Sequence, residues 1–181
     1  TKIFCVNCTI TNALTESNSK LCSENTAIKT ELNEFRKIAD LNETAEQILC
    51  VRRHCGGLIC ITAFAEYDYV NAESKIFFKL YKLSNCGDMP QICIGKSPCE
   101  LRRNAFFIID IGIEETYRNS GYGSVLLTEI IKCAKQYNAD RISGKLSCTD
   151  SKNADAREKL HHFYAKHGFI IDGSKLLLIL K

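Results

Sequence analysis

An apolar run, Phe106-Phe107-Ile108-Ile109-Asp110-Ile111-Gly112-Ile113, leads into Arg118-Asn119-Ser120-Gly121-Tyr122-Gly123, and an amphipathic pattern starts near Ser124. Strand, tight glycine turn and helix N-terminus in that order leave several backbone N–H groups unpaired and pointing one way, an arrangement that suits a phosphate. The same residues also fit an ordinary strand-to-helix turn, with glycine supplying positive φ and Ser124 capping the helix. The rest of the chain has to decide between the two.

With 181 residues, 45% hydrophobic and 25% charged, the chain has the composition of a globular domain large enough to bury a core without staples. A net charge of +3 suits an anionic ligand and is far below the basic footprint of a dedicated nucleic-acid binder. No apolar run approaches the roughly 18–20 residues that span a bilayer, and Thr1-Lys2-Ile3-Phe4-Cys5 does not read as a signal peptide. The eleven cysteines are odd in number and irregular in spacing, and several, such as Cys60 and Cys93, sit inside apolar runs. That pattern predicts reduced, mostly structural thiols and a cytoplasmic setting. Cys5-Val6-Asn7-Cys8 has the spacing of metal ligands, but no second pair completes a zinc site, and no metal is expected.

Lys2–Ile10 reads as an edge strand and Ala13–Lys20 as loop. Ile28, Leu32, Phe35 and Ala39 recur at helical spacing from about Thr26, with Ser23 or Asn25 as the cap, and a second helix is expected from Asn42 through Arg52, stopped by Gly56-Gly57. Strands are predicted at Leu58–Ala65, Lys75–Leu83, Gln91–Gly95 and Ala105–Ile113, with hairpin chemistry at Asn85-Cys86-Gly87-Asp88. A helix follows the glycine turn, then a strand at Arg141–Leu146, a helix at Ala154–His167, and strands at Phe169–Ile171 and Leu176–Leu180. The alternation predicts one α/β (α+β) domain over residues 1–181, built from an N-terminal part (1–57), antiparallel strands (58–104) and a C-terminal core (105–181).

About forty residues beyond the glycine turn lies Leu160-His161-His162-Phe163-Tyr164-Ala165-Lys166-His167-Gly168-Phe169, a helix closing on a glycine and re-entering the sheet. Taken together, the run Ile111–Gly123 followed by Val125-Leu126-Leu127, and the Phe-Tyr-x-x-x-Gly-Phe element after it, resemble the GCN5-related N-acetyltransferase (GNAT) superfamily over roughly Ala105–Lys181. The resemblance implies a central mixed, mostly antiparallel sheet, splayed at the cofactor strand and flanked by helices. It implies acetyl-CoA as co-substrate and a primary amine, on a small molecule or a peptide, as acceptor.

On that resemblance the N–H groups of Asn119, Ser120, Gly121, Tyr122, Gly123 and Ser124 hold the pyrophosphate, and Arg118 adds a cation. The backbones of Ile111 and Ile113 pair with the pantetheine arm, and an N–H near Ile113 polarises the thioester carbonyl. Tyr164 takes the place of the family's general acid, protonating the departing thiolate. Asp110 is the best single candidate for the base, although a strand-edge carboxylate paired with a nearby cation explains it too. Glu66, Tyr67, Asp68 and Tyr69 either line the acceptor mouth or form a solvated loop, and His161 and His162 read as packing or surface residues.

Two departures stand out. Glu115 replaces a common proline, and Arg157 replaces a common asparagine seven residues before the tyrosine. Arg157 reads as a helix-surface ion pair or as a cation for a CoA phosphate. The resemblance also leaves open a homodimer, a toxin-like member acetylating aminoacyl-tRNA, and a non-catalytic acyl-CoA-binding module.

Overall fold

The computed structural model describes residues 15–26, 29, 46–68, 73–83, 91–146 and 154–180. The chain divides into two compact units, Thr1–Asp40 and Leu41–Lys181. In the first, residues 15–26 form a helix, α1, exposed along its whole length. The Ser23 hydroxyl donates to the Lys20 carbonyl and the Thr26 hydroxyl to that of Cys22, so residues expected as loop or cap lie inside a helix. This helix has no apolar stripe, the signal on which the sequence reading relied. Most of the helix expected from Thr26, the strand at Lys2–Ile10 and the Asn85–Asp88 turn lie outside the described residues, as do Cys5 and Cys8.

The described residues of the second unit form nine strands: β1 (Gln47–His54), β2 (Gly57–Asp68), β3 (Glu73–Leu83), β4 (Gln91–Arg102), β5 (Ala105–Ile108), β6 (Gly112–Ile113), β7 (Arg141–Lys145), β8 (Ile170–Asp172) and β9 (Lys175–Ile179). Their order across the sheet is β1-β2-β3-β4-β5-β7-β9-β8, with β6 also pairing β4. Among the described residues only β5 and β7 run parallel, so the sheet is mixed and mostly antiparallel. Helix α2 (Tyr122–Gln136) buries Val125, Leu126, Leu127, Ile130, Cys133 and Ala134 against a core that includes Ile61, Phe78, Leu80, Ile94, Phe106 and Ile142. Helix α3 (Ala154–Ala165) adds Leu160, Phe163 and Tyr164 to the same core.

Two expectations fail here for identifiable reasons. The helix expected over Asn42–Arg52 is instead strand β1 from Gln47. Its residues pair with β2 from Gln47↔Ala63 to His54↔Gly57, and Gly56 serves as a hairpin turn rather than a helix stop. Cys55 and Gly56 both have positive φ, 48° and 74°, the conformation that two-residue hairpin turns need. The strand expected to end at Gly95 runs on to Arg102, straight through Pro98. The Pro98 carbonyl faces β5, where it accepts the Ile109 N–H at 3.0 Å. Its missing N–H therefore falls on the same side, at a bulge where the ladder is already interrupted.

Cys60, Cys99 and Cys133 are buried thiols, and burial pushes them up to about 11, 12 and 11 respectively. They pack as small hydrophobes. Cys93, expected to do the same, is exposed.

Candidate functional site

The strand expected over Ala105–Ile113 is broken in the middle, and the break shapes the site. β5 pairs with β4 up to Ile108↔Cys99, but β6 resumes as Gly112↔Lys96, a register shifted by one residue. Asp110 and Ile111 occupy the bulge. β7 follows β5 only as far as Ile108↔Gly144, while β6 stays with β4, so the sheet splays beyond Ile108.

The Glu114 N–H donates to the Ile94 carbonyl at 2.9 Å, which fixes the alternation along β6: Gly112 and Glu114 bond to β4, and Ile111 and Ile113 face the splay. Two of their four backbone groups are already used. Asp110 Oδ1 accepts the Ile111 N–H at 2.8 Å, and Arg118 Nε–H donates to the Ile113 carbonyl at 3.0 Å. The Ile111 carbonyl and the Ile113 N–H are the pair that an added strand-like ligand would meet. On the other side of the bulge, the Ser97 hydroxyl donates to the Asp110 carbonyl at 2.6 Å and pins it. The Asp110 carboxylate is exposed and caps its neighbour's N–H, which differs from the strand-edge ion pair considered from the sequence.

From β6 the chain makes one 3-10 turn at Glu115–Tyr117 and enters the glycine loop. Asn119 and Gly121 both have positive φ, 59° and 81°. Gly121 is the N-cap of α2 and no side chain caps the helix, so its first N–H groups are met by no cap. Helix α2 starts at Tyr122, two residues before the predicted Ser124. The Tyr122 side chain turns inward and is buried, edge-on to His54 and Tyr117, so only its backbone belongs to the loop's outer surface. Burial raises the phenol above its ordinary range. Arg118, Asn119 and Ser120 are exposed. With Nε committed to Ile113, Arg118 holds its two Nη groups on the far side of the fork.

Helix α3 comes in against this region. A Cβ placed on Gly123 would lie 3.4 Å from the Phe163 ring and 3.7 Å from the Ile113 side chain, so β6, α2 and α3 converge there. Tyr164 is the one buried residue of α3, edge-on to Phe163 and Phe169. Gly168, at φ 84°, ends the helix, and the Tyr164 carbonyl accepts the N–H groups of His167 and Phe169. Burial pushes the His167 imidazole below its ordinary range. Arg157 and His162 are exposed, Glu66 and Tyr67 belong to β2, and Tyr69 lies outside the described residues.

Sequence reasoning missed the residues that hold the glycine loop from behind. At the tip of the β1–β2 hairpin, His54 Nε2 lies 2.7 Å from the Ser120 carbonyl oxygen, and the Cys55 thiol donates to the same oxygen at 3.3 Å. Reading Cys55-Gly56 as a hairpin turn would have put His54 at that tip. The Leu41–Lys181 unit also carries a half-buried polar network remote from the loop. Glu46 accepts from Lys79, from the Thr62 hydroxyl at 2.5 Å and from the Tyr81 phenol at 3.3 Å.

A broken and splayed strand, a glycine loop opening a helix and a tyrosine helix packed beside both thus come together in the Leu41–Lys181 unit. The model of the Acetyltransferase (GNAT) family matches residues 40–169, and the chain belongs to that family. Streptothricin acetyltransferase A of Bacillus subtilis (strain 168) is 32% identical over 114 residues, 62% of this chain. The match spans 58% of the length of that curated relative. Among solved structures, spermidine N-acetyltransferase from Vibrio cholerae gives a TM-score of 0.47 at 13% identity, covering 59% of this chain and 65% of that one. The NatC complex bound to Gag peptide and CoA gives 0.46 at 22%, covering 57% and 71%. Among the described residues no helix is long and apolar enough to cross a membrane, and no group of three His, Cys, Asp or Glu residues could hold a metal.

Proposed function

We propose that this chain transfers the acetyl group of acetyl-CoA to a primary amine by direct attack, without a covalent enzyme intermediate. The observation that carries the reading is the splay: a bulged strand turns the Ile111 carbonyl and Ile113 N–H outward, directly before an uncapped helix start. The loop N–H groups from Asn119 to Ser124, with Arg118, hold the pyrophosphate. Ile111 and Ile113 align the pantetheine arm, and the Ile113 N–H faces the oxygen that becomes negative in the tetrahedral intermediate. Tyr164 gives its phenolic proton to the departing thiolate, whose basicity is close to its own. Asp110, held at the bulge by Ser97 and Ile111, takes the proton from the attacking amine directly or through one water.

The family match supports the donor, and the acceptor is an amine of a small molecule or a peptide. Because a relative acts, by its name, on streptothricin, that antibiotic belongs in the first panel with polyamines and peptide N-termini. The test follows thiol release from acetyl-CoA over the panel, with the acetylated product identified by mass. Amine-dependent release is expected. CoA binding with no release on any amine would turn the chain into a binding module and remove Tyr164 and Asp110 from these roles.

A further inference from the structure

We infer that His54 is a positioning residue of the donor site: from the tip of the β1–β2 hairpin it sets the direction of a backbone donor in the glycine loop. The inference rests on the reading of that loop as the pyrophosphate site. A carbonyl oxygen carries no proton, so in the 2.7 Å contact with Ser120 the imidazole nitrogen must be the donor, Nε2–H. The Ser120 carbonyl belongs to the same planar trans peptide as the Gly121 N–H, and the two point in opposite directions. Holding the carbonyl toward the hairpin therefore holds the Gly121 N–H toward the opposite side, where the anion sits. The thiol of Cys55 donates to the same oxygen at 3.3 Å. Two donors on one carbonyl also polarise the peptide and make its N–H the stronger donor.

The hairpin is built to deliver this contact. Cys55 and Gly56 make a two-residue turn with both φ positive, and His54 pairs with Gly57 at its base. The imidazole is steadied edge-on by Tyr122, with ring centroids 4.7 Å apart. Gly121 leaves room for it, since a Cβ there would sit 3.3 Å from the His54 ring. The hold comes from 66 residues upstream.

The experiment measures calorimetric Kd values of the full chain for CoA and for pantetheine, which lacks the pyrophosphate and the nucleotide. Wild type should bind CoA more tightly than pantetheine. His54→Ala should weaken CoA about tenfold, the scale of one hydrogen bond, and leave pantetheine unchanged. His54→Gln keeps an N–H donor of similar reach and should recover most of the loss, with thermal melts confirming that both variants fold. Equal weakening of the two ligands, or unchanged CoA affinity in His54→Ala, overturns the inference while leaving the donor site intact. A wild type that binds the two ligands equally removes the pyrophosphate reading and this inference with it.

Discussion

The strands β1–β4 and the segment from β5 to β9 share one sheet but do different work. From Asp110 to Ser124 the candidate donor site is continuous in sequence, and its working groups are mostly backbone. From β1–β4 two polar contacts reach far along the chain: Glu46 meets Lys79, 33 residues on, and His54 meets Ser120, 66 residues on. On the proposed reading, one region presents donors to an anion, and the other holds those donors and the sheet in place. Substitutions in the first should therefore change binding or turnover at little cost in stability. In β1–β4, except at His54, they should do the reverse.

The largest effect is expected at Gly121. Its φ of 81° is unfavourable for any side chain, and a Cβ would press on the His54 ring. Gly121→Val should raise the Kd for CoA by about a hundredfold or more, as two or three cradle contacts are lost together, with the melting transition still cooperative. Retained CoA binding in that variant would sink the phosphate-turn assignment and, with it, the division of labour between the regions.

Tyr164 comes next, where the comparison sharpens within the site. Tyr164→Phe keeps the ring among Phe163 and Phe169 and removes one oxygen. Losing a positioned acid costs on the order of a hundredfold in kcat, with the Kd for CoA unchanged. Unchanged turnover would remove Tyr164 from the acid role.

The site was legible where the chemistry is local. The glycine loop, the Phe-Tyr-x-x-x-Gly-Phe helix and the strand start at Ala105–Ile108 announce themselves by pattern, because a loop that uses backbone N–H groups needs glycine at fixed positions. The bulge was not legible. It arises from a one-residue mismatch between β4 and the β5–β6 segment, and Pro98, beyond the expected strand end at Gly95, marks where the mismatch is absorbed. β1 was misread because Ile48-Leu49-Cys50 is apolar on consecutive residues, where helix and strand periods look alike, and because glycine ends helices and turns hairpins equally well. His54 and Glu46 were invisible for another reason. Each acts on a residue that only the folded sheet brings near.

Glu46 supplies the smallest expected effect and the cleanest check on β1–β4. Burial alone would push its carboxyl up. The hydrogen bonds from Lys79 and Thr62, with the Lys79 charge, outweigh that and hold it below the ordinary range. Lys79 in turn is held above its own by Glu46. A carboxyl with a lowered folded pKa adds stability that is present above its unfolded value, about 4.3, and lost as pH falls through the folded one. Glu46→Gln keeps an acceptor for Thr62 but not the charge facing Lys79. Because a third of the Lys79 side chain is exposed, the loss should be about 1 kcal/mol near pH 7, below the usual range for a charged hydrogen bond. Protonated Glu46 is nearly the equal of Gln, so the gap between variant and wild type should close in urea melts as pH falls through the lowered folded value. CoA affinity should not move at any pH where both proteins are folded. A gap that persists in acid would show that shape, not charge, holds this network. A change in CoA affinity would make Glu46 part of the donor site and end the separation between the two regions.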